Sequence, residues 1–257
     1  MKRTKIDWAD STWNPVTGCL HGCAYCYADR MARRFAGGVD DDMERIHVME
    51  GPILRDDGTK NPYPYKFDPT FHKYRLKIPQ DWKKPQNIFV CSMADLFGKW
   101  VPDSWIDSVL TACLAAPQHR YLFLTKNPVR YAQLGVKNIL IDGDRFWYGS
   151  STPRHNDRAF FSRPSPESQG RYFRSFLSVE PMLERFGKCD ERGSVAVTDW
   201  VIVGAETGNR KDRVIPQKEW ILELAEECDK RKKPIFMKES LRKLMGSDFR
   251  QEFPWKD

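Results

Sequence analysis

The chain has 257 residues, which is long enough to bury a substantial core in one large α/β domain or two small ones. Its 42 Lys and Arg residues exceed its 35 Asp and Glu residues, and the net charge of +7 suits a polyanionic partner such as nucleic acid without requiring one. The apolar runs are too short to cross a bilayer and the first ten residues carry no signal-peptide core, so the composition excludes a membrane protein and predicts a cytoplasmic one.

The first feature along the chain is a group of three cysteines at C-x3-C-x2-C spacing: Cys19, Cys23 and Cys26. A strand is predicted just before this group and a helix over 27–35 just after it. A closed ferredoxin-type cluster uses four cysteines, and a structural zinc site normally uses four cysteine or histidine ligands. Three thiolates on a [4Fe–4S] cluster would leave one iron open to a small molecule. Seven cysteines in all, an odd number, fit a reducing compartment better than a disulfide framework.

Residues 37–85 form an irregular insertion by their sequence pattern, because they contain six prolines and no sustained periodicity. The later half of this segment interleaves positive charge with aromatic rings, as a surface for single-stranded nucleic acid would. A solvated excursion that packs its rings on the main domain explains the same pattern equally well. The interleaved residues are Phe71, His72, Lys73, Tyr74, Arg75, Lys77, Trp82, Lys83 and Lys84.

From residue 86 onward, short apolar runs alternate with amphipathic stretches, which is the pattern of parallel strands joined by helices. Helices are predicted over 103–116 and 218–230, where Cys113 and Cys228 are expected to be buried core residues. Six or more βα units predict a single α/β domain over 1–257, a partial (β/α) barrel of about six parallel strands with outer helices. An open doubly wound sheet is the alternative, since strand order cannot be read from one sequence. The predicted strands are 87–92, 121–125, 146–150, 173–179, 200–204 and 234–237.

The cysteine segment resembles the signature of the radical S-adenosylmethionine (SAM) superfamily, C-x3-C-x-aromatic-C, with Tyr25 as the aromatic residue. The resemblance implies a barrel of the radical SAM type in which Cys19, Cys23 and Cys26 bind a [4Fe–4S] cluster and SAM chelates its open iron. It implies that one electron cleaves SAM to a 5′-deoxyadenosyl radical, which abstracts hydrogen from the substrate. It also implies an electron donor such as flavodoxin or ferredoxin.

Further motifs narrow this resemblance. They are Trp13-Asn14-Pro15-Val16-Thr17-Gly18-Cys19, Cys26-Tyr27-Ala28, Ser92-Met93-Ala94-Asp95-Leu96-Phe97, Leu124-Thr125-Lys126-Asn127-Pro128, Ser178-Val179-Glu180-Pro181 and Asp199-Trp200-Val201-Ile202-Val203-Gly204-Ala205-Glu206-Thr207-Gly208. Together they are similar to a phage-associated radical-SAM-like family of unassigned function. The chain departs from that family in a shorter gap between the first two cysteines and in a stretch over 154–170 rich in Ser and Pro, and these departures leave the substrate open.

In a barrel of parallel strands the reactive site lies at the carboxyl ends of the strands, where this chain repeatedly places chargeable or hydroxyl residues. Glu180 and Glu206 follow apolar runs directly, and an unpaired buried carboxylate there would be costly unless a ligand ammonium or ribose met it. Turn residues and helix caps explain the serines equally well. The resemblance implies a SAM pocket, in which Tyr25 lies at the adenosyl group, Ser92 and Asp95 lie at the amino group, and Ser150 and Ser151 lie at the ribose. Lys126 would meet the carboxylate or a substrate phosphate, and Gly204 and Glu206 would lie near the adenine and the substrate. Glu180 also belongs to this predicted pocket.

Two other functions remain open from the sequence. One is a non-catalytic nucleic-acid-binding protein whose amino-terminal loop is stabilised by zinc, with His21 or a remote side chain as the fourth ligand. The other is a family member that keeps the cluster for structure alone. Nucleic acid is the favoured substrate of an enzyme because of the basic charge and the phage association, with a peptide or small metabolite as alternatives. Cys91 is a candidate for returning hydrogen to the product, although a buried small side chain explains it more simply.

Overall fold

The computed structural model describes residues 4–36, 45–154, 172–186 and 194–255. Almost all of the Ser- and Pro-rich stretch over 154–170 lies outside the described residues. The chain divides into two compact units, the first containing Met1–Thr4 and Ala9–Phe123 and the second Lys5–Trp8 and Leu124–Asp257. The single domain over 1–257 stays a prediction. None of the helices in the described part has the length and apolar character needed to span a bilayer.

Strands and helices alternate along the described residues much as the apolar runs predict. The strands are β1 (Ser11–Trp13), β2 (Val16–Thr17), β3 (His47–Met49), β4 (Thr70–His72), β5 (Asn87–Val90), β6 (Arg120–Thr125), β7 (Phe146–Ser151), β8 (Arg174–Val179), β9 (Trp200–Val203) and β10 (Ile235–Met237). The helices are α1 (Tyr27–Phe35), α2 (Ile78–Asp81), α3 (Asp103–Leu114), α4 (Val129–Val136), α5 (Lys218–Lys230) and α6 (Arg242–Met245).

In the first unit, β1, β5 and the first four residues of β6 run parallel in that order. Ser11 pairs with Ile88, and Asn87 pairs with Arg120. The middle strand β5 has no exposed residue, which is expected of a parallel strand whose two faces are both covered. The strand predicted to precede the cysteine group is β1, and it is present.

The segment predicted to be irregular contributes two strands to a second sheet of the first unit, in the order β2-β4-β3. The β4 strand pairs antiparallel with β2 and parallel with β3. Each of these strands is two or three residues long, too short for an alternating pattern to be visible in the sequence. Phe71 of β4 is buried and stacks on Trp105 of α3, with ring centroids 5.2 Å apart.

The second unit contains four parallel strands in the order β7-β8-β9-β10. In both units the described parallel strands follow chain order without the reversal that marks a doubly wound sheet. The predicted fold class, an α/β fold of the partial (β/α)-barrel type with outer helices, is therefore confirmed. The described residues provide seven parallel strands where about six are predicted.

The strands of the second unit bury different residues on their two faces. One face packs aliphatic side chains, among them Val201 and Ile235, against Ile221, Leu224 and Cys228 of α5. The burial predicted for Cys228 is confirmed, as is that of Cys113 in α3. The other face is aromatic, and its rings surround Trp200. The rings that contact Trp200 are Trp8, Trp147, Phe176, Phe236, Phe253 and Trp255.

Candidate functional site

The three-cysteine loop, residues 18–26, joins β2 to α1 within the first unit. Its first end is fixed by two backbone hydrogen bonds. Gly18 N donates to Met93 O at 2.8 Å, and Cys19 N donates to Phe67 O at 3.0 Å. These bonds tie the loop to two segments that are distant in sequence, so the first thiol has a defined position.

Two glycines let the backbone of this loop turn sharply. Gly18 has φ of +87° and Gly22 has φ of +66°, both in the left-handed region that side chains disfavour. A Cβ at Gly18 would lie 2.1 Å from the backbone oxygen of Asp68, so no side chain fits there. A Cβ at Gly22 would meet nothing within 4 Å, so only its backbone conformation selects glycine.

The last thiol of the loop caps the amino terminus of α1. Cys26 is the N-cap residue, and its Sγ accepts a hydrogen bond from Asp29 N at 3.4 Å. Cys26 N donates to Cys23 O at 3.0 Å, which closes a turn between the second and third cysteines. A negatively charged sulfur at this position would interact favourably with the amide dipoles of the helix.

The Cys19 thiol lies in a largely apolar environment. Cys19 and Cys26 pack against one apolar cluster, which consists of Ala28, Ala32, Phe67 and Met93. The pKa of Cys19 is raised to about 12, chiefly by burial; a hydrogen bond from the backbone of His21 lowers it, and Asp95, Cys23 and Cys26 contribute to the rise. Cys23 and Cys26 thus both lie within electrostatic reach of the Cys19 thiol. Cys19 remains a neutral thiol unless a cationic centre offsets these effects.

The donor set suits iron–sulfur ligation, which uses thiolate sulfur. Cys19, Cys23 and Cys26 are all free and partly exposed thiols. The other described cysteines are buried, and Cys189 lies outside the described residues. Across residues 4–36, 45–154, 172–186 and 194–255, no group of three or more His, Cys, Asp or Glu side chains is arranged to hold a metal ion. A cubane spreads its ligands more widely than a single ion does, because each thiolate binds a different iron.

His21, between the first two cysteines, contacts Asp95, which is a predicted contact of the SAM amino group. Its Nε2 lies 2.7 Å from Oδ2 of Asp95, and its ring meets Trp100 edge-on with centroids 4.8 Å apart. The other Asp95 oxygen accepts a hydrogen bond from Phe97 N at 3.0 Å. Sequence reasoning considered His21 only as a zinc ligand. Its contact with Asp95 links the cysteine loop to the turn after β5.

Asn14 joins two of the sequence motifs and was not predicted as a site residue. Its Oδ1 accepts hydrogen bonds from Met93 N at 3.0 Å and from the Ser92 hydroxyl at 3.3 Å. The Ser92 carbonyl in turn accepts a hydrogen bond from the Tyr27 hydroxyl of α1 at 3.0 Å. The structure therefore brings Ser92 and Asp95 close to the cysteine loop, in which Tyr25 is half-buried.

Cys91 follows β5 with φ of +60°, an unusual conformation for a residue other than glycine. Its side chain is buried, and burial raises the pKa of its thiol to about 12. The placement matches the simpler interpretation of Cys91 as a packed thiol. Its role as a hydrogen donor stays a prediction.

The Cys91 thiol should make stability depend on pH. Its pKa is about 12 in the folded protein against 9.0 for an exposed thiol. Between these values the unfolded chain ionises and the folded chain does not, so the free energy of unfolding falls as pH rises. A Cys91→Ala variant should lose this contribution, and its decline between pH 9.5 and 10.5 should be shallower by about 1.4 kcal/mol per pH unit. Urea unfolding of the metal-free proteins measures both slopes; equal slopes would contradict the expectation.

Two adjacent serines of β7 point to opposite faces of the second unit, because side chains alternate along a strand. Ser151 accepts a hydrogen bond from Lys126 Nζ at 2.7 Å and pairs in register with Ser178 of β8. The Ser178 hydroxyl is buried and has no hydrogen-bond partner among the described residues. Ser150 is buried on the other face. The structure thus brings Lys126 and Ser151 together.

The sequence argument treats Glu180 as an unpaired carboxylate, but the structure gives it a partner. Its carboxylate forms a short ion pair with Lys238 Nζ, just past β10. Gly204, at the end of β9, lies between the stems of these two side chains, since a Cβ there would be 2.9 Å from Lys238 and 3.3 Å from Glu180. The predicted contact of Glu180 and Gly204 with SAM stays a prediction, but an unpaired charge is no longer its reason.

Glu206 is also paired within the chain. Arg210 donates two hydrogen bonds to its carboxylate, at 2.7 and 2.8 Å. These bonds hold the pKa of the buried Glu206 carboxyl below its usual range. Sequence reasoning missed Arg210, although its spacing of four residues from the carboxylate was a visible signal.

Several aromatic residues of the proposed nucleic-acid surface pack inside the first unit. Phe71 is buried against Trp105. His72 is buried between the Thr17 hydroxyl, at 2.8 Å, and the Tyr74 hydroxyl, at 3.4 Å, and burial lowers its pKa to about 3. These rings are not presented for stacking on bases, and no described contact supports a nucleic-acid partner.

Comparisons with known proteins identify the family of the chain. No curated protein matches the chain. Among solved structures, it is similar to a mutant of spore photoproduct lyase, with 13% sequence identity, a TM-score of 0.46, and coverage of 96% of this chain and 78% of that chain. A family model matches residues 3–243, which is most of the chain. The chain therefore belongs to the family described as "Protein of unknown function (DUF5131)".

Proposed function

We propose that this protein is a radical SAM enzyme whose Cys19, Cys23 and Cys26 hold a [4Fe–4S] cluster. The observation that carries the proposal is the three-cysteine loop itself. The loop carries three thiols, of which Cys23 and Cys26 both act electrostatically on Cys19, and it is fixed at one end by Gly18 and at the other by the start of α1. When bound, the cluster and SAM supply a 5′-deoxyadenosyl radical for hydrogen abstraction.

The residues around the loop would orient and shield the bound groups. The apolar cluster under Cys19 and Cys26 excludes water from one side of the thiols. Asn14 fixes the backbone at Ser92 and Met93, and His21 fixes the Asp95 carboxylate. Tyr25, Ser92 and Asp95 are the proposed SAM contacts of the first unit. The other predicted contacts, which belong to the second unit, stay predictions: Lys126, Ser150, Ser151, Glu180, Gly204 and Glu206.

Anaerobic reconstitution with iron and sulfide tests the proposal. The wild-type protein should become brown, contain iron and labile sulfide, and convert SAM to 5′-deoxyadenosine when dithionite is added. Alanine variants of Cys19, Cys23 and Cys26 should lose the cluster and at least 100-fold of this activity, because each removes one of three ligands. The matched control is Cys113→Ala, which removes a buried thiol in α3 and should keep both.

The same experiment distinguishes the other functions that the sequence leaves open. Zinc without labile sulfide would contradict the enzyme and favour a zinc-stabilised loop. An intact cluster that never yields 5′-deoxyadenosine with SAM and dithionite would favour a structural role for the cluster. The substrate and the cytoplasmic location stay predictions.

A further inference from the structure

One face of α1 exposes an apolar stripe that nothing in the proposed reaction uses. Tyr27, Met31 and Phe35 are four residues apart and so lie along one side of the helix. Their exposed fractions are 47%, 42% and 47%. Leu20, in the adjoining cysteine loop, is 38% exposed. Methionine and aromatic side chains are the residue types that protein interfaces enrich.

Arginines flank this stripe. Arg30 and Arg34 are exposed and lie three and seven residues after Tyr27, beside the apolar side chains. The Arg34 guanidinium lies 5.7 Å from the centre of the Phe35 ring. Within the described part of the chain neither arginine is paired with a carboxylate, whereas Arg33, farther round the helix, is paired with Asp29 at 2.8 Å. Among the residues that the structure describes, the stripe therefore has a positive edge.

The position of the stripe suggests the kind of partner. The helix that carries the stripe begins directly after Cys26. A protein bound to the stripe would therefore lie about one helical turn from the cysteine loop. An apolar centre with a positive rim fits a partner that has an apolar patch and an acidic rim. Binding of nucleic-acid phosphates favours a continuous basic surface, and such a surface would not have exposed apolar side chains at its centre.

We propose that the α1 stripe, formed by Tyr27, Met31 and Phe35 with Arg30 and Arg34 at its edge, docks a small acidic electron-transfer protein. This inference rests on the proposed function, which requires one electron per SAM cleaved. A single electron leaves the reduced flavin of the partner, which is oxidised, and enters the cluster, which is reduced. No bond is made or broken in this step. Such encounters bury little surface, which suits a single short helix.

The test uses the reconstituted protein with reduced flavodoxin as the probe. The variants are Met31→Ser and the double charge reversal Arg30→Glu with Arg34→Glu. Each should weaken flavodoxin binding, measured by fluorescence titration at low salt, and slow flavodoxin-driven 5′-deoxyadenosine formation by about tenfold or more. Raising the salt concentration should reduce the difference between the wild type and the charge reversal. With dithionite, a small reductant that needs no docking surface, all variants should match the wild type.

The control variant reverses two exposed charges of the second unit, Lys211→Glu with Lys243→Glu, and so changes net charge equally. It should bind flavodoxin as the wild type does. Binding and flavodoxin-driven rates within twofold of the wild type in the α1 variants would overturn the docking surface while leaving the enzyme intact. Weakened binding of a single-stranded oligonucleotide without any effect on flavodoxin would also overturn it. If the wild-type protein takes up no iron, that result contradicts the proposed function, and the docking of an electron donor is contradicted with it.

Discussion

Replacing Trp200 with alanine is expected to lower the free energy of unfolding by about 3–5 kcal/mol, the largest effect of any single change considered for this chain. The side chain is fully buried in the second unit. Its ring centroid lies 5.7 Å from that of Phe176 and 5.2 Å from that of Trp255. Its Nε1 donates a hydrogen bond to the Glu252 carbonyl at 2.8 Å. Alanine would leave a cavity among large rings that cannot collapse to fill it.

Urea unfolding followed by far-ultraviolet circular dichroism measures this loss. Trp82→Ala is the matched control, because Trp82 is only half-buried and its ring makes one ring contact among the described residues, to His119. That variant should lose clearly less stability. A Trp200→Ala loss below about 1 kcal/mol would show that the aromatic face of the second unit is not a packed core.

The second large effect is expected from Gly18→Ala. The new Cβ would lie 2.1 Å from the backbone oxygen of Asp68, and the residue would keep a φ of +87°. Overpacking costs about 1–3 kcal/mol and the left-handed conformation about 1–2 kcal/mol, so we expect a total loss of about 2–5 kcal/mol. Because the clash displaces the backbone next to Cys19, most of the iron bound on reconstitution should also be lost.

Gly22→Ala separates these two causes. It shares the left-handed backbone but has open space where the Cβ would be, so only about 1–2 kcal/mol should be lost. Its iron content after reconstitution should remain near that of the wild type. If both alanine variants lose stability and iron equally, the close approach of Gly18 to Asp68 does not position the cysteine loop.

The parts of this protein that the sequence predicts are those encoded by neighbouring residues. The cysteine spacing and the apolar runs of the parallel strands are local patterns, and α1 and α5 begin and end where those patterns place them. The small sheet of β2, β3 and β4 was missed because strands of two or three residues contain no period.

The partners of the predicted site residues could not be found in the same way. Glu180 meets Lys238 across 58 positions of sequence, and no pattern in a single chain reports such a pair. Ser150 and Ser151 look equivalent in the sequence, yet their side chains alternate along β7, and the Ser151 hydroxyl accepts a hydrogen bond from Lys126. Side-chain direction and long-range pairing are properties of the folded chain. The sequence therefore identifies the polar residues at the strand ends but not the partners of their side chains.

Cys26 gives α1 a chemical sensitivity that an ordinary cap would lack. Serine or aspartate at the start of a helix is inert, whereas the Cys26 sulfur that accepts the Asp29 amide can be coordinated, alkylated or oxidised. Each of these changes would act on the atom that accepts the first-turn amide of the helix that presents Tyr27 and Met31 to solvent. One sulfur atom is thereby both a proposed ligand of the cluster and the cap of the helix that carries this outer surface.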